Sequence, residues 1–278
     1  MSRFVPRIAG NRMALIGLGL LALIVLLALL APLIVADPAQ FDVARRLMPP
    51  SSAAPFGTDR MGGDIFSSVV FGARVTLLIA TATVATGILI GVPIGLVAGY
   101  FHNWISDALM RVSDIALAVP QIVLAIAITQ TLGPSVKSVV VALSLTYWPF
   151  WTRLVYAETR SMRNEIYIES AVALGASPWR IMILHILPAI ASSIVVRSSI
   201  GVGGTILAAA TLGFLGLGAP PPTPEWGRII AESRDYLPEA WWYPLAPGMA
   251  IFLTVLGCYL FGDGLRDALD PRTSTARR

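Results

Sequence analysis

Residues 13–36 read MALIGLGLLALIVLLALLAPLIVA, a stretch of 24 residues from Met13 to Ala36 without one charged side chain. About 20 apolar residues carry a helix across a bilayer, and the same signature recurs along the chain. Uncharged runs occupy Val75 to Ser106 (32 residues), Ile115 to Val136 (22), Ser138 to Thr152 (15) and Ala240 to Gly262 (23). A sixth, Ile181 to Pro224, is interrupted only by Arg197. The composition agrees: 56% of the 278 residues are hydrophobic and 13% are charged, against about 25% charge in soluble domains. Twenty basic and 16 acidic side chains are too few to coat a water-soluble globule of this size. A soluble enzyme is excluded, and the chain reads as an all-α integral membrane protein of compact transporter size.

Hydropathy leaves the parity of the spans open, because Ile181 to Pro224 has room for one helix or two. The arginines decide. With six spans and an internal N-terminus, the inside carries Arg3, Arg7, Arg12, Arg111, Arg153, Arg160, Arg163, Arg180, Arg266, Arg272, Arg277 and Arg278. The outside carries the smaller set Arg45, Arg46, Arg60, Arg74, Lys137, Arg228 and Arg234, which is the positive-inside bias. The expected spans are 13–35, 76–100, 115–133, 137–153, 188–212 and 243–262, with both termini cytoplasmic. The first run is too long for a cleaved signal core, and no A-x-A site precedes Asp37-Pro38, so it reads as an uncleaved anchor. A net charge of +4 lies near span ends, where topology explains it better than nucleic acid does. Tyr147, Trp148, Phe150 and Trp151 read as an interfacial aromatic belt, with Lys137 and Arg153 reaching outward. Gly87, Gly91, Gly95 and Gly99 recur every four residues, a stripe of small residues for close helix packing. Cys258 lies in an apolar run and reads as a small buried hydrophobe.

Three segments are polar enough to be working loops. The external stretch 37–74 is rich in Pro and Gly, and 219–242 opens on Pro220-Pro221-Pro222-Thr223-Pro224. A short helix should follow, since Trp226, Ile229, Ile230 and Leu237 fall at near-helical spacing. The internal loop 153–187 carries most. From Asn164 it spells a helix of about ten residues, with Asn164 as its cap, Glu165 and Glu169 in its first half and Gly175 just past its end. Ser177-Pro178 then starts another helix. Ser170, Ala171 and Ala173 keep one side small, as in a knob for a partner's groove; a surface helix tying two spans together fits the spacing equally.

Glu169-Ser170-Ala171, then Gly175, then His185-Ile186-Leu187-Pro188 resembles the EAA loop of membrane subunits of bacterial ABC importers. Further segments resemble the peptide-transporting branch. They are Asn11-Arg12, Phe56-Gly57-Thr58-Asp59 with Asp64 and Gly72-Ala73-Arg74, Phe214-Leu215-Gly216-Leu217-Gly218 with Pro222-Thr223-Pro224 and Trp226-Gly227, and Gly262 to Pro271. The resemblance runs along nearly the whole chain and is nearest to the second permease subunit of dipeptide, oligopeptide and nickel systems. It implies the type I importer permease fold, with six transmembrane helices. Residues 1–74 would hold a tail, the first helix and a periplasmic loop, and 75–278 a five-helix core carrying the coupling loop. It also implies Glu169, Ser170, Ala171, Gly175, Leu187 and Pro188 as the ATPase-coupling residues. Implied partners are a second permease subunit in a heterodimer, two cytoplasmic ATP-binding subunits, a periplasmic or lipid-anchored binding protein and membrane lipid, in the bacterial inner membrane. The resemblance implies no cofactor on this chain, with ATP and Mg on the ATPases. Two positions depart from the pattern: Ser170 replaces an Ala, and Gly63 stands where a basic residue is expected to meet a binding protein.

The residues themselves support part of this. A P-loop needs Gly-Lys-Ser/Thr, and the only lysine, Lys137, follows Val136, so this chain is not the ATPase. No nucleophile, base and acid set is present, and His102 and His185, far apart and without acidic companions in the spans, make a poor metal site. Arg197 either lines the pathway and meets a peptide carboxylate or sits at the inner interface of a span starting near Ile200. Gln121 and Tyr147 are the other pathway candidates, though hydrogen bonding between helices accounts for both. An ion-coupled secondary transporter is the rival, but such proteins place acidic residues within their spans, and none of the six expected spans holds one. Nickel chelates and glutathione are alternative cargoes within the importer reading.

Overall fold

A computed structural model describes residues 11–35, 38 and 40–269. Arg3, Arg7, Asp37, Asp270, Pro271, Arg272, Arg277 and Arg278, used above for topology and motif, lie outside the described residues. The first span is α1 (Arg12–Ile34), capped by Asn11, whose side chain accepts from the Met13 and Ala14 amides. Asn11 also donates to Asp267 at 3.1 Å, tying α1 to the end of the last helix, α9 (Trp242–Leu269).

Asp64 caps α2 (Ile65–Tyr100), accepting from the Ser67 amide. This helix begins 11 residues before its expected span. Its glycine stripe works as the spacing predicts. The glycines lie against α5 (Val136–Arg163), and a Cβ added to Gly91 would stand 2.5 Å from Trp151 Cβ and 2.6 Å from the Trp148 carbonyl. The stripe is therefore the seam on which the two longest-packed helices meet.

Trp151 corrects one expectation: it is fully buried in this seam and is no interfacial belt residue. The belt reading assumed a helix ending near Arg153, whereas α5 continues ten residues to Arg163. Arg153 pairs with Asp114. A second correction concerns the span expected at 115–133. The chain forms α3 (Trp104–Ala118) and α4 (Gln121–Leu132), which meet at 85°. Pro120 is the cause, because it pushes Val119 into extended backbone, at φ −90° and ψ 129°.

The internal loop holds α6 (Ile166–Ala173). It is followed by α7, one 37-residue helix from Pro178 to Phe214. Within α7, Met182–Ile186 forms a π turn, and the Leu187 amide donates to the Met182 carbonyl. Pro188 lacks an amide hydrogen and its ring crowds the preceding turn; a widened turn accommodates it without stopping the helix. Span five thus begins well before its expected start. Among the described residues four helices, α1, α2, α7 and α9, are long and apolar enough to cross a membrane, and the bent pair α3/α4 makes a fifth if taken as one span. The expected fourth span lies within α5, whose C-terminal part carries Glu158, Arg160 and Arg163.

In the segment 219–242, α8 (Trp226–Ser233) forms where the spacing predicts, but Leu237 lies outside it. Trp226 is buried, and its indole donates to the Val69 carbonyl at 2.8 Å. Gly227 rests on the Ala210 backbone with no room for a Cβ. Glu225 caps α8, accepting from the Gly227 and Arg228 amides at 2.8 and 3.0 Å. Burial raises its pKa above the ordinary carboxylate value, partly offset by those two bonds. Cys258 is buried and free.

Candidate docking site

The internal loop is built around one fixed point. Ile168 is 0% exposed and packs with Val92 and Leu96 of α2, Val155 of α5 and Ile181, Met182 and Ile186 of α7. A single buried side chain thus pins an eight-residue helix to three longer ones, where isolated helices of that length are unstable in water. Asn164 does not cap α6, contrary to expectation. It closes α5, its amide donating to Ser161, and Glu165 takes the N-cap position without a side-chain bond. The two helices are so closely joined that Asn164 belongs to the first, which also shortens α6.

The far end matches the prediction closely. The Gly175 amide donates to Val172 at 2.9 Å and the Ala176 amide to Ala171 at 3.1 Å, the two bonds of a Schellman turn. Gly175 sits at φ +80°, a conformation that glycine adopts at little cost. Ala171 and Ala176 are both half-buried against the Ile168 cluster. Ser177 caps α7 by accepting from the Arg180 amide, with Pro178 at its first turn. At the other end of the loop Arg163 contacts His102 and lies 5.3 Å from the Tyr100 ring centroid.

Around this anchor the loop presents apolar side chains to solvent. Leu174 is 88% exposed, Ile166 80% and Trp179 60%, joined by Ile183 and Leu184. Exposed apolar side chains gathered on one short loop make it a candidate interaction site. Glu169 and Ser170 are exposed beside it, and the Ser170 hydroxyl donates to the Ile166 carbonyl at 2.8 Å. A Cβ on Gly175 would meet nothing within 4 Å, so the space beside the turn is open to a partner. Leu187 is half-buried and Pro188 exposed, both within α7 beyond the docking surface. The apolar surface escaped the sequence reading because α6 is too short for its exposed and buried positions to show a period.

The pathway candidates scatter. Arg197 is exposed on α7, facing a cavity of about 380 Å³ that also has Glu158, Asp263, Arg266, Ser192 and Ser193 in its walls. These partners come from three helices, which hid the grouping in the sequence. Tyr147 is half-buried, stacked on Phe150 at 5.5 Å, and its hydroxyl lies against Gly201, where an added Cβ would approach to 2.6 Å. It fills the contact between α5 and α7. Gln121 opens α4, exposed, and neither it nor Tyr147 lines the Arg197 cavity. Among the described residues no group of His, Cys, Asp and Glu could hold a metal ion.

Residues 91–275 match the family described as binding-protein-dependent transport system inner membrane component. The chain belongs to this family. Residues 2–50 match the N-terminal transmembrane domain of oligopeptide transport permease C. This permease is 43% identical over 263 residues to the dipeptide transport system permease protein DppC of Alkalihalophilus pseudofirmus, covering 94% of this chain and 86% of that one. It is 45% identical over 232 residues to the glutathione transport system permease protein GsiD of Pectobacterium atrosepticum, covering 84% and 77%. An inward-facing structure of the MetNI methionine ABC transporter shares the fold, with a TM-score of 0.60 at 20% identity, over 74% of this chain and 98% of that one. The protein is thus a multi-pass membrane permease subunit of the ABC importer class, which works with partner subunits.

Proposed function

We propose that this permease forms half of the translocation pathway for dipeptides and short oligopeptides. The other half would be a second permease subunit, in a heterodimer held in the bacterial inner membrane with both termini cytoplasmic. Two cytoplasmic ATPases carry the ATP and Mg, and a periplasmic or lipid-anchored binding protein delivers the peptide. The chain itself performs no bond chemistry. The observation that carries the reading is the exposed apolar surface of α6 and the start of α7, pinned by Ile168 and ended by the Gly175 turn. Glu169, Ser170, Ala171 and Gly175 are the coupling residues, and Leu187 and Pro188 pass the motion into the membrane helix. Dipeptide cargo is supported by the identity to a named dipeptide permease; the identity to a glutathione permease keeps that tripeptide as the second reading.

Gly175→Asp tests the coupling role. The chain should insert at normal levels while uptake falls and ATP hydrolysis by the assembled complex no longer responds to peptide-loaded binding protein. Normal uptake would sink the assignment. Arg197 is proposed to contact the peptide carboxylate at the inner end of the pathway, since its cavity holds charges of both signs. Arg197→Lys should retain more uptake than Arg197→Gln, and equal uptake by both would remove Arg197 from the pathway.

A further inference from the structure

The two external segments, far apart in sequence, close over a cavity of about 420 Å³ on the outer face. That volume lies within the range of small-molecule sites. Its polar lining comes from Asp59, Arg60, Ser68, Arg228, Glu232 and Tyr243, two guanidinium groups and two carboxylates. Glu232 is fully engaged. Its Oε1 lies 2.5 Å from Arg228 and 3.7 Å from Arg60, and its Oε2 accepts from the Tyr243 hydroxyl at 3.4 Å.

The other groups keep capacity in reserve. Asp59 Oδ1 accepts from the Met61 and Gly63 amides at 2.7 and 2.8 Å, and Oδ2 has no partner among the described residues. Burial raises the Asp59 pKa, Glu232 adds to the rise, and the two amide bonds and Arg60 offset part of it. The Nε atoms of Arg60 and Arg228 are buried and also without partners among the described residues, an arrangement that buried polar atoms rarely tolerate. Gly63 keeps Oδ2 accessible, because a Cβ there would stand 2.9 Å from it. Arg228 is committed, its Nη1 to Glu232 and its Nη2 to the Thr223 carbonyl at 2.7 Å, whereas Arg60, its side chain 41% exposed, has only the 3.7 Å contact with Glu232. The cavity therefore offers one anionic acceptor, Asp59 Oδ2, and one cationic donor, Arg60, with no net charge. A lone anion or a lone cation would leave the opposite group unmatched; a zwitterion matches both.

We propose that this cavity receives the charged ends of a short free peptide, the ammonium against Asp59 and the carboxylate against the guanidinium group of Arg60. The inference rests on the peptide-importer reading and adds to it a contact made by the permease itself. Because the recognised groups are the ends, side-chain identity matters little at this site.

The test uses the complete permease and ATPase complex in nanodiscs without the binding protein, and tritiated dialanine as the probe in a proximity binding assay. The wild-type complex should bind dialanine, and N-acetyl-dialanine amide, which lacks both charges, should not compete. Asp59→Asn, which keeps an acceptor for the two amides, and Arg60→Gln should each weaken binding at least tenfold. Uptake of dialanine is measured in parallel in cells carrying the whole system. Uptake without binding, competition by the blocked peptide, or unchanged binding in both variants overturns the site and leaves the importer reading standing. Absence of uptake of any short peptide by the wild type overturns the importer reading, and the site with it. The blocked-peptide comparison is made on the wild-type protein and does not depend on how the variants fold.

Discussion

The glycine seam between α2 and α5 allows a magnitude to be worked from geometry. In Gly91→Ala the new methyl carbon would lie 2.5 Å from Trp151 Cβ, 2.6 Å from the Trp148 carbonyl oxygen and 2.9 Å from the Thr152 amide nitrogen, whereas ordinary contact begins at 3.4 Å. Two of these three neighbours are backbone atoms and cannot rotate aside. The helices would have to part by roughly 0.9 Å, and overpacking on this scale costs about 1 to 3 kcal/mol. Alanine also gains about 1 kcal/mol over glycine as a helix former, so the raw effect of Gly91→Ala understates the clash. Gly204→Ala provides the reference: Gly204 is exposed in α7, and an added Cβ there meets nothing within 4 Å. The difference between the two variants isolates overpacking. Unfolding in mixed micelles with increasing dodecyl sulfate, followed by tryptophan fluorescence, should show Gly91→Ala unfolding earlier by that amount. Equal midpoints would mean that the helices do not approach as closely as described, and the reasoning fails.

Four further outcomes are expected. Ile168→Ala should cost about 2 to 5 kcal/mol as a buried truncation, read as faster proteolysis of the internal loop. Leu174→Ala should leave that rate unchanged yet weaken retention of the ATPases on affinity purification. At the turn, Gly175→Asn should keep more uptake than Gly175→Val, because asparagine tolerates positive φ and a β-branched residue does not; the reverse order in a transport assay would locate the defect elsewhere. Glu225 holds its proton to higher pH when folded than when unfolded, so its contribution favours the folded state at low pH. That contribution is lost as pH rises from the ordinary carboxylate range through its raised value. Thermal melts from pH 4.5 to 8 should therefore show wild type losing stability relative to Glu225→Gln as pH rises.

Much of this was readable from local pattern. Uncharged runs placed the membrane helices, the four-residue glycine repeat marked the α2/α5 seam, and Gly175 with Ser177-Pro178 marked the turn and restart of the docking loop. Each signal lies within one continuous stretch of sequence. The failures arose where two local signals competed or where distant residues meet. Pro120 breaks the third run, but its apolar flanks masked the break. Trp151 looked interfacial because α5 was taken to stop at Arg153. Asn164 offered a cap to a helix that starts two residues later. The Arg197 cavity and the external cavity draw on three or more segments, and no spacing announces such neighbours. Within the docking loop the residue types were legible, whereas the division into one buried anchor and a surrounding exposed surface needed the packing.

The π turn at Met182–Ile186 lets α7 pass Pro188 unbroken, and the result is a rod of 37 residues, roughly 55 Å long at 1.5 Å per residue. Its inner end joins the Gly175 turn, and nearer its outer end the Ala210 backbone bears the weight of Gly227 in α8. Tilting such a rod by about 10° around its midpoint would sweep each end through roughly 5 Å, in opposite directions. A push on the cytoplasmic docking surface would then reach the wall of the external cavity as leverage, with no relay of side chains across the bilayer.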